Sequence, residues 1–281
     1  MRAEQFRLNA DLEDRHWWFL ARRRIVQRLV AAVLDRPPEG GGRPLVVDVG
    51  CGTGANLAAL SATCECVGID PAIEAVALAR QRFPQVRFLC GHAPADLGEV
   101  ASRADLFLLT DVLEHVADDF RFFSELAAAA GPGAVFLITV PADMALWSMH
   151  DESHGHYRRY DRARLVRLWE GLPLRTLLVS HYFARVYPLV RLARAVSRWR
   201  GRAWGAADTD LAMPPAVVNR LLIRFTAGEG RRLSAALASS RARRYRRGVS
   251  LLALVRRQAG VIVPRNQPDD IAHESGDTLH R

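Results

Sequence analysis

The chain has 281 residues, with 39 basic and 30 acidic side chains, a formal net charge of +9 and 49% hydrophobic residues. This composition excludes disordered, collagen-like and coiled-coil proteins. A chain of this length can bury a substantial core without cross-links, and its four cysteines show no repeated metal-binding spacing, so we expect no metal.

The chain opens with a helical pattern. Apolar residues recur at helical spacing from Phe19 to Val33, and the proline- and glycine-rich stretch 37–44 ends the pattern. The first residues are charged and lack the apolar centre of a signal peptide, and no apolar run is long enough to span a membrane. These features predict a cytoplasmic protein with a helical cap over residues 1–42.

From residue 45 the pattern changes to short apolar runs that alternate with helical stretches. This alternation is typical of strand-helix-strand units and therefore of a parallel sheet. The five predicted strands cover residues 45–49, 66–70, 86–90, 105–110 and 134–140, and the helices between them cover 55–62, 72–82 and 117–130.

After the fifth strand the sequence predicts an irregular loop, then a helix, two more strands and a helical insertion. We expect an α/β fold with a doubly wound, mostly parallel seven-stranded sheet. The predicted units are the cap 1–42, a core 43–182 containing the helix 161–170 and the strand 174–182, a basic helical insertion 183–247, the last core strand within 248–262, and a disordered tail 263–281.

A glycine-rich turn joins the first strand to the first core helix. Gly50, Gly52 and Ala55 satisfy the dinucleotide fingerprint, so NAD remains an alternative from this turn alone. Asp48 before the turn and Gly54 within it extend the pattern to Asp-x-Gly-x-Gly-x-Gly. The glycines allow a ligand to approach the backbone beside a helix N-terminus.

This extended pattern resembles the first motif of class I methyltransferases, which bind S-adenosylmethionine (SAM). Three later stretches agree with it: 67–70, which ends in an acid, 109–116 after the fourth strand, and the turn 131–133. After the third strand the family often has an acid near adenine, whereas this chain has His92. The resemblance implies SAM contacts from Asp48, Gly50, Cys51, Gly52, Gly54, Asn56, Asp70, Pro71, His92, Ala93, Thr110, Asp111 and His115.

The loop after the fifth strand supplies the catalytic candidates. It lies at the carboxyl edge of the sheet, where such folds bind ligands. His156 is the first candidate for a general base and His150 the second, with Tyr157 beside them. The alternative is that residues 158–160 simply anchor this loop to the sheet.

Residues 16–24, 155–160 and parts of 211–254 resemble a bacterial branch of the type 11/12 methyltransferases. That resemblance spans about residues 13 to 257 and implies a small-molecule or lipid- or glycan-linked acceptor, methylated at oxygen, carbon or nitrogen. An RNA methyltransferase and a non-catalytic SAM-binding protein are the alternatives. No Asn/Asp-Pro-Pro-Tyr segment follows the fourth strand, which disfavours methylation of base amino groups.

The positive charge is concentrated in residues 183–257, which carry 17 arginines and three acids. Within 188–200 the arginines 191, 194 and 198 are expected on one helical face, opposite Leu189, Leu192, Ala193, Val196 and Trp199. A basic amphipathic helix of this kind can lie on an anionic membrane surface. It can also be a lid whose apolar face packs on the core.

Overall fold

The computed structural model describes residues 3–35, 41–200, 212–239 and 242–266. Seven strands form one sheet: β1 (Leu45–Val49), β2 (Glu65–Asp70), β3 (Arg87–Cys90), β4 (Leu106–Thr110), β5 (Val135–Pro141), β6 (Leu174–Tyr182) and β7 (Ser250–Arg257).

The strand order is β3-β2-β1-β4-β5-β7-β6, and the first five strands are parallel. β7 lies between β5 and β6 and is antiparallel to both. β1 is central and all five of its residues are buried, because helices cover both faces of the sheet. The predicted fold class is confirmed.

Eleven helices lie within the described ranges, and none has the length and apolar content that crossing a bilayer requires. They are α1 (Ala3–Glu13), α2 (Trp17–Val33), α3 (Ala55–Ala58), α4 (Ile73–Arg82), α5 (Glu99–Arg103), α6 (Asp119–Ala129), α7 (Met149–Ser153), α8 (Arg162–Arg167), α9 (Tyr187–Arg200), α10 (Ala216–Ala227) and α11 (Glu229–Ala238).

Several helices differ from their predicted bounds. The cap consists of two helices, because the chain turns before α2 and the ring of His16 caps that helix by accepting from the Trp18 N–H. α3 ends four residues early, where the Leu60 N–H donates to Leu57 O in a tighter turn. The predicted loop after β5 contains the short α7, which Ser148 caps.

Alternate residues of the strands point into two hydrophobic cores, one on each face of the sheet. Val47 of β1 packs with α6 residues such as Phe120 and Phe123 on one face. Val46 points to the other face, where it packs with the cap residue Ile25 and the insertion residue Leu233. The cap and part of the insertion therefore belong to the second core.

Two polar residues of the insertion hold it in place. Asn219 accepts from the Trp17 N–H (2.8 Å) and donates to Arg15 O (2.7 Å), which ties α10 to the start of α2. The buried Glu229 accepts from the backbone N–H groups of Ala184 and Arg185 before α9. Both residues therefore connect secondary-structure elements.

The orientation of α9 corrects the predicted amphipathic arrangement. Arg194 is buried and donates to Leu146 O, Ser148 and Asp151, whereas Leu189 and Leu192 are 66% and 64% exposed. Arg194 therefore does not share a solvent-exposed basic face with the exposed Arg191. The side chains of Arg198 and Trp199 and residues 201–211 lie outside the described residues.

The chain after β7 returns to α6. The Arg265 N–H donates to the Ser124 hydroxyl (2.9 Å) and the Arg265 side chain donates to Arg167 O (2.7 Å). The rest of the predicted tail, from residue 267, lies outside the described residues.

A buried carboxylate anchors the loop that follows β5. Asp119 accepts from the Tyr160 hydroxyl (2.6 Å) and from Arg164 (3.1 Å), and Arg158 lies 3.5 Å away. Each of these partners is largely removed from water, so the carboxylate cannot be deleted without leaving unpaired charge.

We predict that Asp119→Ala lowers the free energy of unfolding by about 3–5 kcal/mol, because it leaves buried arginines without a counter-charge. Urea denaturation measures this change. Glu125→Ala, which removes a partner of the exposed Arg121 on the same helix, is the matched control and should change stability little. Equal effects of the two substitutions would contradict the prediction.

Candidate active site

The glycine-rich turn after β1 is shaped for close approach by a ligand. Gly50, Gly52 and Gly54 have φ values of +68°, +52° and +87°. A Cβ on Gly54 would lie 2.6 Å from the Phe88 ring, so no larger residue fits there. A Cβ on Gly52 would meet nothing within 4 Å, so that side of the turn is open. Cys51 is buried beneath it.

Asp70 connects the end of β2 to this turn. One carboxylate oxygen accepts from the Gly52 N–H (2.9 Å) and the other accepts from the Ala72 N–H (2.9 Å), with Pro71 between. A carboxylate has about four acceptor positions. Two therefore remain on Asp70 for hydroxyl donors.

Asp48 is a buried acid beside the turn. Its two oxygens have no hydrogen-bond partner in the described part of the chain. Burial raises the pKa of Asp48 to about 8, and the nearby charge of Arg22 only partly opposes this effect. The amide of Asn56 donates to the Thr110 hydroxyl (3.0 Å) and so links the turn to the end of β4.

The segment after β3 contains an acid that sequence inspection missed. His92 is exposed, and its N–H donates to a carboxylate oxygen of Asp96 (2.7 Å). The same carboxylate lies against Gly91, where a Cβ would be 2.5 Å from it. Ala93 lies in the turn between His92 and Asp96. Asp96 thus places a carboxylate beside the end of β3.

A cavity of about 350 Å³ lies at the carboxyl ends of β4 and β5. It lies between the sheet, the cap and α9, and its lining is largely aromatic and histidine-rich. The lining residues are Glu13, His16, Trp17, Trp18, Phe19, Arg22, Thr110, Asp111, Glu114, His115, Pro141, His150, His154, His156, Arg159, Val190, Ala193, Arg194, Ala212, Val249 and Ser250.

The predicted site residues divide into two groups. Thr110, Asp111, His115, His150 and His156 line the cavity together. The glycine turn, Asp48, Asp70 and His92 lie along the neighbouring strand ends and do not line it.

Glu13 at the end of α1 connects the two groups. It lines the cavity, and it also accepts from the Thr53 hydroxyl in the glycine turn (2.6 Å) and from Arg82 (2.9 Å). α1 therefore lies over the turn, an arrangement that no local sequence pattern indicates.

Asp111 forms an ion pair with Arg22 of the cap. Its backbone is left-handed, with φ +57°, and its other oxygen accepts from the Thr139 hydroxyl (2.9 Å). Burial disfavours charge on Arg22, but the charges of Asp111, Tyr182 and Glu13 and the hydrogen bond to Asp111 together outweigh it and raise the pKa of the guanidinium. The pair closes the cap onto the end of β4.

Asp151 holds together the histidine loop, which is the segment after β5 that carries His150, His154 and His156. It accepts from His156 Nδ1 (2.9 Å), from Arg159 (2.9 and 3.0 Å) and from Arg194 (3.3 Å). Burial alone would raise the pKa of Asp151, but these donors and their charges hold it below its usual range. Since an ionised carboxylate only accepts, Nδ1 of His156 carries a hydrogen, and in the neutral ring Nε2 then has the lone pair.

Burial lowers the pKa of the other cavity histidines, and they are uncharged at neutral pH. The pKa of His115 falls to about 4, because burial and the neighbouring His156 and His154 disfavour a further positive charge. Burial is also the main cause of the lowered pKa of His150 and His154. The Nδ1 atom of His150 is buried without a partner in the described residues.

Tyr157 lies apart from these residues. Its side chain is half exposed and does not line the cavity, and the Arg158 guanidinium lies 5.4 Å from its ring centroid. Arg158 donates to Val116 O and Ala117 O, and Arg159 donates to Ala142 O. The contacts of Arg158 and Arg159 therefore fit the anchoring role considered for residues 158–160. Of the predicted catalytic residues, His150 and His156 line the cavity and Tyr157 does not.

The family model of the methyltransferase domain matches residues 18–178. A protein of Mycolicibacterium smegmatis, described as a probable SAM-dependent methyltransferase, is 29% identical over 163 residues, covering 57% of this chain and 60% of that protein. The trans-aconitate 2-methyltransferase of Variovorax paradoxus is 34% identical over 105 residues, covering 34% of this chain and 38% of the enzyme. The chain therefore spans less than two thirds of the length of either relative.

Solved structures agree on the fold. The plantazolicin methyltransferase BamL, solved with a triazolic desmethylPZN analogue and S-adenosylhomocysteine (SAH), superposes with a TM-score of 0.53 at 13% identity, covering 85% of this chain and 86% of that chain. The chain belongs to the SAM-dependent methyltransferases of class I fold. The predicted family and its cofactor SAM are confirmed at this level, and the dinucleotide alternative is not supported.

The buried Asp48 gives a prediction for pH dependence. Its pKa is about 8 in the folded chain and 3.8 as an ordinary value. Between these values the folded state keeps a proton that the unfolded state has lost, so stability falls as pH rises, by about 1.4 kcal/mol per pH unit.

We therefore expect Asp48→Asn to stabilise the ligand-free protein, with a gain that grows as pH rises. Thermal unfolding at about pH 5 and about pH 8 measures it. Asp11→Asn on the exposed face of α1 is the matched control. A gain for Asp48→Asn that is the same at both pH values would show that burial does not raise this pKa.

Proposed function

We propose that the protein transfers the methyl group of SAM to a nucleophile of a small-molecule or lipid- or glycan-linked acceptor bound in the cavity. The observation that carries this proposal is the junction at Glu13, where the family's glycine turn meets an aromatic-lined cavity. SAM supplies an electrophilic methyl group, so the protein mainly positions the acceptor and excludes water.

The strand ends fit the nucleoside part of SAM. Gly52 leaves open space beside the backbone, and Asp70 keeps two acceptor positions for the ribose hydroxyls. Asp96, which folds back to the His92 N–H, places an acid where an adenine amino group would be recognised. Asp48 is the unpaired buried carboxyl beside the same turn.

The Arg22–Asp111 pair fits the methionine part of SAM. That part carries both an ammonium and a carboxylate, so Asp111 would bind the ammonium and Arg22 the carboxylate. Exchanging one ion pair for two keeps every charge paired in a region that is shielded from water. Thr110 and Asn56 hold Asp111 next to the glycine turn through their mutual hydrogen bond.

The cavity fits a small acceptor group better than a nucleic-acid base in a folded RNA. Its volume of about 350 Å³ lies at the lower end of the range for small-molecule sites. Trp17 and Trp18 of the cap line the cavity together with five histidines, His16, His115, His150, His154 and His156. His156 and His150 are the residues placed to activate the acceptor nucleophile.

Two substitutions separate cofactor binding from methyl transfer. We expect Asp70→Ala to weaken SAM and SAH binding in calorimetry by about 10- to 150-fold, since charge-assisted hydrogen bonds contribute about 1.5–3 kcal/mol. We expect His156→Ala to leave SAM affinity near wild type and to slow transfer of labelled methyl to an extract-derived acceptor by about 100-fold.

Glu125→Ala on the surface of α6 is the control for both measurements. Binding of NADH but not SAM by the wild type would overturn the proposal. Full activity of His156→Ala would show that His156 is not needed for methyl transfer and that the histidine loop has a structural role.

A second proposal concerns the partner surface: we infer that α9 and α10 contact an anionic membrane. Leu189 and Leu192 on α9, and Leu221 and Phe225 on α10, are more than half exposed. Exposed arginines such as Arg220 lie among them. Aliphatic side chains interspersed with arginine suit the boundary between acyl chains and anionic headgroups. A membrane contact beside the cavity would present a lipid-linked acceptor to it.

We predict salt-sensitive co-sedimentation of the protein with vesicles of phosphatidylglycerol and phosphatidylcholine, and little with phosphatidylcholine alone. Leu192→Asp should reduce binding about tenfold, because it puts a negative charge at the lipid boundary. Val261→Asp, at an exposed valine beyond β7, is the matched control. An RNA gel shift without vesicle binding would favour the RNA alternative instead.

A further inference from the structure

Three side chains that can bind a metal ion converge on one wall of the cavity. Glu114 and His115 belong to a one-turn 3₁₀ helix after β4, and His156 belongs to the loop after β5. A carboxylate oxygen and one nitrogen from each imidazole lie within 4.8 Å of one another. The Tyr157 N–H donates to Glu114 O (2.8 Å), so the backbone itself holds the two segments together.

Glu114 lacks the partner that a buried carboxyl group needs. Its side chain is 1% exposed, and neither carboxyl oxygen has a hydrogen-bond partner in the ranges that the structure describes. A carboxyl group in this state is costly, because burial removes its water and nothing replaces it. A cation between Glu114 and the two imidazoles would replace the lost water.

His156 has a hydrogen bond that is typical of metal-binding histidines. Its Nδ1–H donates to Asp151 (2.9 Å), which leaves the Nε2 lone pair for another partner. Histidines that bind metals commonly donate their other ring N–H to a carboxylate in this way. Asp151 is itself held by Arg159 and Arg194, so the ring orientation is fixed by buried contacts.

We propose that Glu114, His115 and His156 bind one divalent transition-metal ion, such as Co²⁺, Mn²⁺ or Zn²⁺, on the cavity wall. Two imidazoles and a carboxylate suit these ions better than Mg²⁺ or Ca²⁺. Ligand atoms about 2.1 Å from an ion lie at most about 4.2 Å apart, so small side-chain rotations close the site.

The position of the site favours a catalytic ion over a structural one. Three protein ligands leave coordination positions open, and all three ligands line the cavity. The sequence pattern contains no metal motif because the ligands come from two segments about 40 residues apart. We expected no metal because the cysteines lack a metal-binding spacing. That expectation does not cover a site built from glutamate and histidine.

The catalytic role of the ion rests on the proposed methyl transfer. The binding of the ion does not depend on that proposal. An ion at this wall would polarise an acceptor hydroxyl and make loss of its proton easier. The acceptor oxygen then forms a bond to the methyl carbon while the carbon–sulfur bond of SAM breaks, with its electron pair remaining on sulfur. The products are a methyl ether and SAH, and the hydroxyl proton passes to water. The proposal thus narrows the acceptor atom to oxygen.

The test uses the full chain without a histidine tag, stripped with a chelator and then titrated with Co²⁺. We expect visible absorption bands of a nitrogen- and oxygen-ligated Co²⁺ and uptake of one ion per chain in equilibrium dialysis. Glu114→Gln, which keeps the side-chain shape, and His115→Ala, which lies near the cavity mouth, should each weaken uptake at least tenfold. His92→Ala, at an exposed histidine away from the cavity, is the matched control and should retain uptake.

Thermal unfolding with and without Co²⁺ shows whether each variant is still folded. The ion should raise the melting temperature of the wild type and of His92→Ala, and should not raise that of Glu114→Gln or His115→Ala. Absence of Co²⁺, Mn²⁺ and Zn²⁺ uptake by the wild type overturns the site. Undiminished uptake by both ligand variants, with folding intact, overturns it as well.

SAM calorimetry on the same samples separates this proposal from the proposed function. SAM binding without metal uptake overturns the metal site and leaves methyl transfer standing. Metal uptake without SAM binding supports the site and overturns the proposed function.

Discussion

The buried carboxylate of Asp151 joins its own loop after β5 to the distant helix α9. It accepts from Arg159 at the end of the histidine loop, from Arg194 on α9 and from His156 in the cavity. These contacts outweigh the cost of burying the charge and keep Asp151 ionised. Asp151 therefore positions the loop, contributes a contact to α9 and places a hydrogen on His156 Nδ1.

The cap is tied to the sheet by similar interactions at two points. Glu13 bonds to Thr53 and Arg82 beside the glycine turn, and Arg22 pairs with Asp111 at the end of β4. Both pairs lie where SAM would bind, and Arg22 and Asp111 carry the charges that its methionine part needs. In the proposed mode of binding, the cofactor and the cap would share these contacts.

Local patterns could predict the sheet because each signal is contained in a few neighbouring residues. The left-handed glycines 50, 52 and 54 and the acid Asp70 lie where their spacing places them. The face of α9 could not be predicted from its sequence, because Arg194 finds a buried carboxylate and turns inward while Leu189 and Leu192 remain exposed. A helical repeat shows which residues share a face but not what that face meets.

The sequence by itself determined the class of fold, the family and the strand ends that would hold SAM, since these depend on hydrophobic periodicity and on glycines with unusual backbone angles. Only the tertiary structure decided which residues line the cavity. Glu114 and His156 meet across about 40 residues, because the carboxyl ends of parallel strands converge at one edge. Such pairings depend on distances in space that no sequence spacing contains.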